Sequence, residues 1–249
     1  MTPLDSELGG PWQGGRALVG CGVDAEIPAR FTKLLAEPHP WPRVYCAREA
    51  AHLGRLPDPA AAYCAAFCGK EAAIKALEKP FALRRCELLG SLAAPTLHLD
   101  DDLAARRGVA GAELRLFEGH AGEVVAVALL ASPRPAGRIH VALEILPLDR
   151  AEQEREAAAR DLTAAEVAEV SPRRLQTLAG FLALKRALCG LFSGLPCVSR
   201  PREEEFELTH RPSGAPCLAR CPDHPPGRVF VSLSHSRTCA YGLAVFQEE

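Results

Sequence analysis

Lys70 and Glu71 stand side by side in FCGKEAAIKAL (67–77), a stretch that otherwise looks like the buried face of a helix. Tyr63, Phe67, Ile74 and Leu77 make its apolar stripe, and Lys70 falls on that stripe, three residues after Phe67. Glu71 and Lys75 are one turn apart. A solvated pair of this kind contributes about 0.2–0.5 kcal/mol, and an isolated K-E-x-x-x-K needs no other explanation. Upstream, VGCGVDAE (19–26) puts Asp24 at the end of an apolar strand and Glu26 two residues later, where a period of two aims both carboxylates the same way. A turn or cap role for Asp24 and a surface role for Glu26 are the bland alternatives. Asp24, Glu26 and Glu71 together are hard oxygen donors with no His or Cys among them, and such donors suit Mg²⁺, which adds waters and substrate phosphates to a few carboxylates. Near the other end of the chain, VSLSHS (231–236) sets Ser232, Ser234 and Ser236 on one face of a strand and His235 on the other. A single histidine at a strand end is more often structural than catalytic.

The elements that must carry these residues lie in a chain of 249 residues, long enough for one large domain or two of common size. A hydrophobic share of 48% with few aromatics, Ala and Leu dominating, predicts plentiful helices and aliphatic cores. A net charge of −2 leaves no footprint for nucleic acid or an anionic membrane, so any charged partner must be met locally. No apolar run approaches ~20 residues, and MTPLDSELGGPWQGGR lacks a basic start and a signal-like core, which predicts a cytoplasmic protein without a membrane partner. The 10 cysteines are scattered among apolar neighbours, and reduced thiols acting as small hydrophobes account for most of them. Cys217, Cys221 and His224, with Cys197 and His210 upstream, form a candidate zinc cluster whose spacing matches no standard ligand knuckle.

Two stretches of the chain read alike. ALVGCGVDAEIPARF (17–31) and RIHVALEILPLDRAE (138–152) are each a short apolar strand running into a charged loop, with Arg30 on Arg150 at an offset of 120. Glu49 falls on Glu166 at 117, Lys70 on Lys185 at 115 and His120 on His235 at 115. Four landmarks in one order point to a duplication with its boundary near SPRPAG (132–137). Asp58 and Pro59 start the first long helix, which Pro80 must end, and Thr163 with Glu166 forms a capping box in the second half. The expected fold is α+β, a pseudo-twofold dimer of halves 17–132 and 138–249, each a small antiparallel sheet packed with helices. The second half keeps Glu144, Lys185 and His120, but Arg186 stands where the first has Glu71, which predicts a dead second site.

The motifs G-V-D-x-E, F-x-x-K-E-A-x-x-K-A-L and S-L-S-H-S resemble the 4'-phosphopantetheinyl transferase superfamily, over residues 17 to 247. The resemblance implies transfer of phosphopantetheine from coenzyme A to a serine of an apo carrier protein of the acyl, peptidyl or polyketide type, with Mg²⁺ and release of 3',5'-ADP. It implies that Asp24 and Glu71 are metal ligands with Glu26 as a third. Glu71 or a metal-bound water is the implied base, with Lys75 near the transferring phosphate. Lys70, Arg30, Ser234 and His235 would meet coenzyme A, His235 and Ser234 from the opposite half, so that one site forms between the halves. Two departures stand out. The serine-histidine segment follows the G-x-D segment instead of preceding it, and EKPFALRR (78–85) replaces the family's glycine-rich turn, leaving Arg84 and Arg85 as candidate contacts for the 3'-phosphate. Arg30, Lys33, Arg43 and Arg48 are candidates for meeting an acidic carrier helix. A non-catalytic pseudo-dimer that binds coenzyme A or a carrier protein is the alternative.

Overall fold

The structure is a computed structural model that describes residues 15–33, 35, 41–155, 160–170, 175–195 and 200–249. Its backbone divides into two compact units, Leu18–Arg134 and Pro135–Glu249, the latter taking in Ala17. The first runs β1 (Leu18–Glu26), α1 (Ala29–Thr32), α2 (Ala47–Leu53), α3 (Pro59–Leu77), the hairpin β2 (Cys86–Ser91) and β3 (Ala94–Leu99), α4 (Asp101–Arg107), β4 (Gly111–Glu118) and β5 (Val124–Ala131). The second runs β6 (Ile139–Pro147), α5 (Leu148–Gln153), α6 (Ala164–Glu169), α7 (Leu175–Ser193), the hairpin β7 (Glu207–His210) and β8 (Pro216–Arg220), β9 (Gly227–His235) and β10 (Cys239–Glu248).

Each unit has an antiparallel three-stranded sheet with its last strand in the middle, β1-β5-β4 in the first and β6-β10-β9 in the second. One long helix covers a face of each sheet, so both units are α+β, as expected. The sequence did not announce the two extra hairpins. The first packs against α3 and β4 and the second against β9, and Leu88 and Leu97 of the first belong to the core with α3.

Local chemistry starts the helices where the sequence places them. The Asp58 carboxylate accepts from Ala61 N–H at 3.0 Å and Pro59 takes the first helical position, where its missing N–H costs nothing. In α6 the Thr163 hydroxyl accepts from Glu166 N–H while the Glu166 carboxylate accepts from Thr163 N–H. The Cys46 thiol holds the corresponding cap of α2. Helix α7, 19 residues long, is apolar enough to cross a membrane. Here Leu178, Phe181, Leu182, Leu188 and Phe192 are buried in the core of the second unit.

The tightest constraint is where β1 crosses α3. A Cβ placed on Gly20 would lie 1.9 Å from the Ala76 carbonyl oxygen, and one on Gly22 would lie 1.9 Å from that of Ala72. Only hydrogen fits there, so the two backbones touch. In the second unit the close approach moves to the central strand, where a Cβ on Gly242 would lie 2.3 Å from Leu184 N.

Gly22→Ala is therefore expected to cost about 1–3 kcal/mol or more through overpacking against backbone that cannot yield. Gly190→Ala, on an exposed turn of α7 with nothing within 4 Å, should instead stabilise by roughly 0.5–1 kcal/mol. Chemical denaturation of both variants checks the opposite signs.

Candidate active site

Gly20, Gly22, Asp24 and Glu26 alternate onto the α3 face of β1, so the contact that admits the helix backbone also delivers Asp24 to the next turns of α3. Lys75 Nζ donates to Asp24 Oδ1 at 2.8 Å and to the Val23 carbonyl at 2.9 Å. Glu71 lies one turn before Lys75 and is partly buried. Its carboxyl is pushed above the ordinary value by burial first and by the Asp24 charge second, with Lys75 pulling it back. Two carboxylates thus face a single ammonium in a partly desolvated place, a region short of positive charge.

Glu26 does not close a triad with them. It takes the Arg30 guanidinium and accepts from Ile27 N–H at 2.9 Å, and Arg30 itself is exposed. Among the described residues no three His, Cys, Asp or Glu side chains are grouped to hold a metal ion. Asp24 and Glu71 remain a fitting pair for Mg²⁺, which commonly takes one or two protein carboxylates and completes its shell with water and phosphate oxygens.

Lys70 is not available to a ligand, which corrects the expectation that it meets coenzyme A. Its ammonium is wholly buried, donating to Glu49 Oε2 at 2.5 Å and to the Val44 carbonyl at 2.6 Å, over the Tyr45 ring. Glu49 Oε1 accepts from Leu88 N–H at 2.8 Å. The second unit repeats each part: Lys185 donates to Glu166 at 2.6 Å and to the Asp161 carbonyl at 2.5 Å, and Glu166 accepts from Leu208 N–H at 2.8 Å. Removing one partner of such a pair costs about 3–5 kcal/mol, because the other charge is left buried alone. Glu49 and Glu166 were visible as aligned landmarks. The signal that joins them to the lysines is a charge pair shared by both halves on otherwise apolar stripes.

The second unit's counterpart of the acidic pair is filled by its own cation. Arg186 donates to Glu154 at 2.6 Å and lies 3.5 Å from Glu203, while Arg150 donates to the other Glu154 oxygen at 2.7 Å. Burial pushes the Glu144 carboxyl up, and Arg186 and Arg150 pull it back. Glu203 Oε2 is buried without a hydrogen-bond partner among the described residues.

His235 ends β9 with its side chain exposed, opposite Ala240, and Ser234 is buried opposite Tyr241. The sheet registers correct the assignment of His120 as its counterpart. Asp24 pairs with Ala126 and Glu144 with Gly242, so β5 and β10 correspond at an offset of 116. On that offset His235 answers to Glu118, which pairs with Val124, and His120 lies in the turn beyond.

The basic candidates separate. Arg85 is committed to Asp100 and Asp102, which hold its guanidinium at 2.5 to 2.7 Å. Arg84 is exposed and lines a cleft of about 300 Å³ with Arg48, Glu87, His98 and Asp101. Lys33 and Arg43 are exposed, and Arg48 lies 3.5 Å from Glu87. The zinc cluster is not assembled among the described residues. His224 packs edge-on against Phe192 and Phe246 with Nδ1 against the Pro225 carbonyl, Cys217 pairs with Thr209 in the β7–β8 hairpin, and His210 stacks near Phe181. Cys197 lies outside the described residues.

A sequence model of the 4'-phosphopantetheinyl transferase superfamily matches residues 20–124. The chain is 37% identical over 129 residues to a holo-[acyl-carrier-protein] synthase of Anaeromyxobacter sp. (strain K), covering 99% of that protein and 47% of this one. Among solved structures it matches the holo-ACP-synthase of Plasmodium yoelii, with a TM-score of 0.41 and 20% identity over 48% of this chain and 99% of that one. It also matches a Bacillus anthracis holo-(acyl-carrier-protein) synthase in complex with CoA, with a TM-score of 0.38 and 23% identity over 44% of this chain and 96% of that one. An α+β unit whose opening strand and lysine-bearing helix bring Asp24, Glu71 and Lys75 together, with this degree of identity across a relative's whole length, places the chain in the 4'-phosphopantetheinyl transferase superfamily.

A carboxyl with a raised folded pKa opposes folding once it ionises, and this cost is absent below its unfolded value and complete above the folded one. Glu71→Gln, which imitates the protonated form, should match wild-type stability in acid and exceed it as pH rises through the Glu71 titration. Thermal melts across pH check the sign.

Proposed function

We propose that the protein transfers 4'-phosphopantetheine from coenzyme A to a serine hydroxyl of an apo acyl carrier protein. One observation carries the reading: in a member of this superfamily, two carboxylates, Asp24 and Glu71, share one ammonium beside the close backbone contact of β1 with α3. A cation-poor site of this kind suits a substrate that arrives with a divalent ion on its diphosphate.

The serine oxygen forms a bond to the β-phosphorus, the bond from that phosphorus to the leaving phosphate breaks, and 3',5'-ADP departs while the serine proton goes to a base. Glu71, or a water on the ion it would help to hold, is that base, placed beside Asp24 and Lys75 where the diphosphate would lie. Lys75, held by Asp24 and the Val23 carbonyl, neutralises charge on the leaving phosphate. Asp24 and Glu71 would hold Mg²⁺, which supplies charge neutralisation for the diphosphate. Arg30 and Glu26 set the rim and would engage phosphate or carrier only by parting from each other. His235, exposed at the end of β9, and Ser234 beside it would meet the coenzyme A phosphates. Arg186, a cation where Glu71 stands in the first unit, keeps the second site silent.

Incubation with apo carrier protein, coenzyme A and Mg²⁺ should add one phosphopantetheine to the carrier by mass spectrometry. Chelation should abolish the gain and Mg²⁺ should restore it. Glu71→Gln and Asp24→Asn should each lower kcat by roughly 10²-fold or more, whereas Arg186→Gln should leave it intact. An unmodified carrier would sink the reading and leave a coenzyme A or carrier binder. Panels of acyl, peptidyl and polyketide carriers identify the acceptor.

A further inference from the structure

Helix α3 is gripped on two sides. On one, Gly20 and Gly22 let β1 rest on the carbonyls of Ala76 and Ala72. On the other, the buried Lys70 ammonium is tied to Val44 and Glu49, and Glu49 is tied in turn to the backbone of β2. Tyr45 and Tyr63 reinforce this second grip, since the Tyr45 hydroxyl donates to the Tyr63 carbonyl at 2.8 Å and the Tyr63 hydroxyl donates to the Ala50 carbonyl at 3.0 Å.

We propose that the buried Lys70–Glu49 pair is the positioning device of the working site, setting the rotation and axial position of α3 that bring Glu71 and Lys75 onto Asp24. The proposal rests on the function assigned above. Neighbouring helical residues are about 100° apart on a rigid frame, so any turn of α3 that releases Lys70 swings Glu71 by the same angle. A slide along the axis carries Lys75 away from the Val23 carbonyl and Asp24 together. The glycine contact limits how near the strand comes, but two smooth backbones can still slide past each other. A three-point ionic anchor cannot slide, because its acceptors come from a fixed carbonyl and a carboxylate already held by Leu88. Lys70 touches no substrate, and its effect on chemistry passes entirely through its neighbours on the helix.

The second unit supplies the control. Lys185 and Glu166 form the same anchor, but the next residue is Arg186, a cation engaged by Glu154 and Glu203, where the first unit has Glu71. Equivalent substitutions should therefore damage both folds alike and only one chemistry. The paired variants are Lys70→Met with Glu49→Gln, and Lys185→Met with Glu166→Gln; the glutamine keeps an acceptor for the strand N–H. Both should melt at a similarly lowered temperature. Only the first should raise the Mg²⁺ concentration for half-maximal transfer by about 10-fold or more and lower kcat, with the KM for carrier protein unchanged. Where a double variant does not fold, Lys70→Arg and Lys185→Arg make the same comparison while keeping the charge. Equal effects of the two pairs on Mg²⁺ dependence and kcat would overturn the proposal and leave the anchors purely structural. A wild-type protein without transferase activity would count against the assigned function alone. Mn²⁺ binding followed by electron paramagnetic resonance then carries the comparison without turnover, with weakened binding only in the Lys70 variant as the supporting result.

Discussion

Backbone touching backbone, where β1 crosses α3, is the constraint on which the first unit depends. Gly20 and Gly22 lack the atom that would hold strand and helix apart, and this close seat sets how near the next inward residue, Asp24, comes to the helix. The order of causes is simple. Glycine spacing sets the approach, the approach lays the strand back along the helix from Ala76 past Ala72 toward Cys64, and Lys75 reaches along it to the Val23 carbonyl and Asp24. A larger residue at either glycine would move the carboxylate before it disturbed anything chemical.

The two units share a frame and differ in charge. Each has a sheet with its last strand central, a helix laid on it and a buried lysine–glutamate anchor. Upon this frame the first unit sets Asp24 and Glu71, and the second sets Glu144 facing Arg186. Burial that raises a carboxyl's proton affinity is tolerated in both. In both the offset is partial, supplied at Glu144 by the guanidinium groups of Arg186 and Arg150 and at Glu71 by Lys75 alone. The difference between an acidic pair with one ammonium and a carboxyl faced by two guanidinium groups lies in a few side chains on a shared sheet-and-helix frame.

Much of this was legible in sequence because it is local or periodic. The period of two put Asp24 and Glu26 on one face, Asp58 and Thr163 announced helix starts, and repeated landmarks gave the paired α+β units. What the sequence hid was three-dimensional. Lys70 looked like a ligand because its chain neighbours are chemical residues, and its partner Glu49 is far off in sequence and reaches it only through folding. Glu26 fits the spacing of a ligand, yet Arg30 sits four residues on, in α1, and takes it first. His120 matched His235 by letter, but the hydrogen-bonded register of the strands decides equivalence and chooses Glu118. The hairpins at 86–99 and 207–220 carry short strands with mixed polarity and gave no clear period.

The guanidinium of Arg186 is covalently part of the chain, so its charge is present as soon as the polypeptide is made and cannot be diluted, chelated or exchanged. On the proposed function, depleting divalent ions would reach the two copies of the frame unequally. One copy has its countercharges settled at translation, and the other sets a single ammonium, that of Lys75, against two carboxylates.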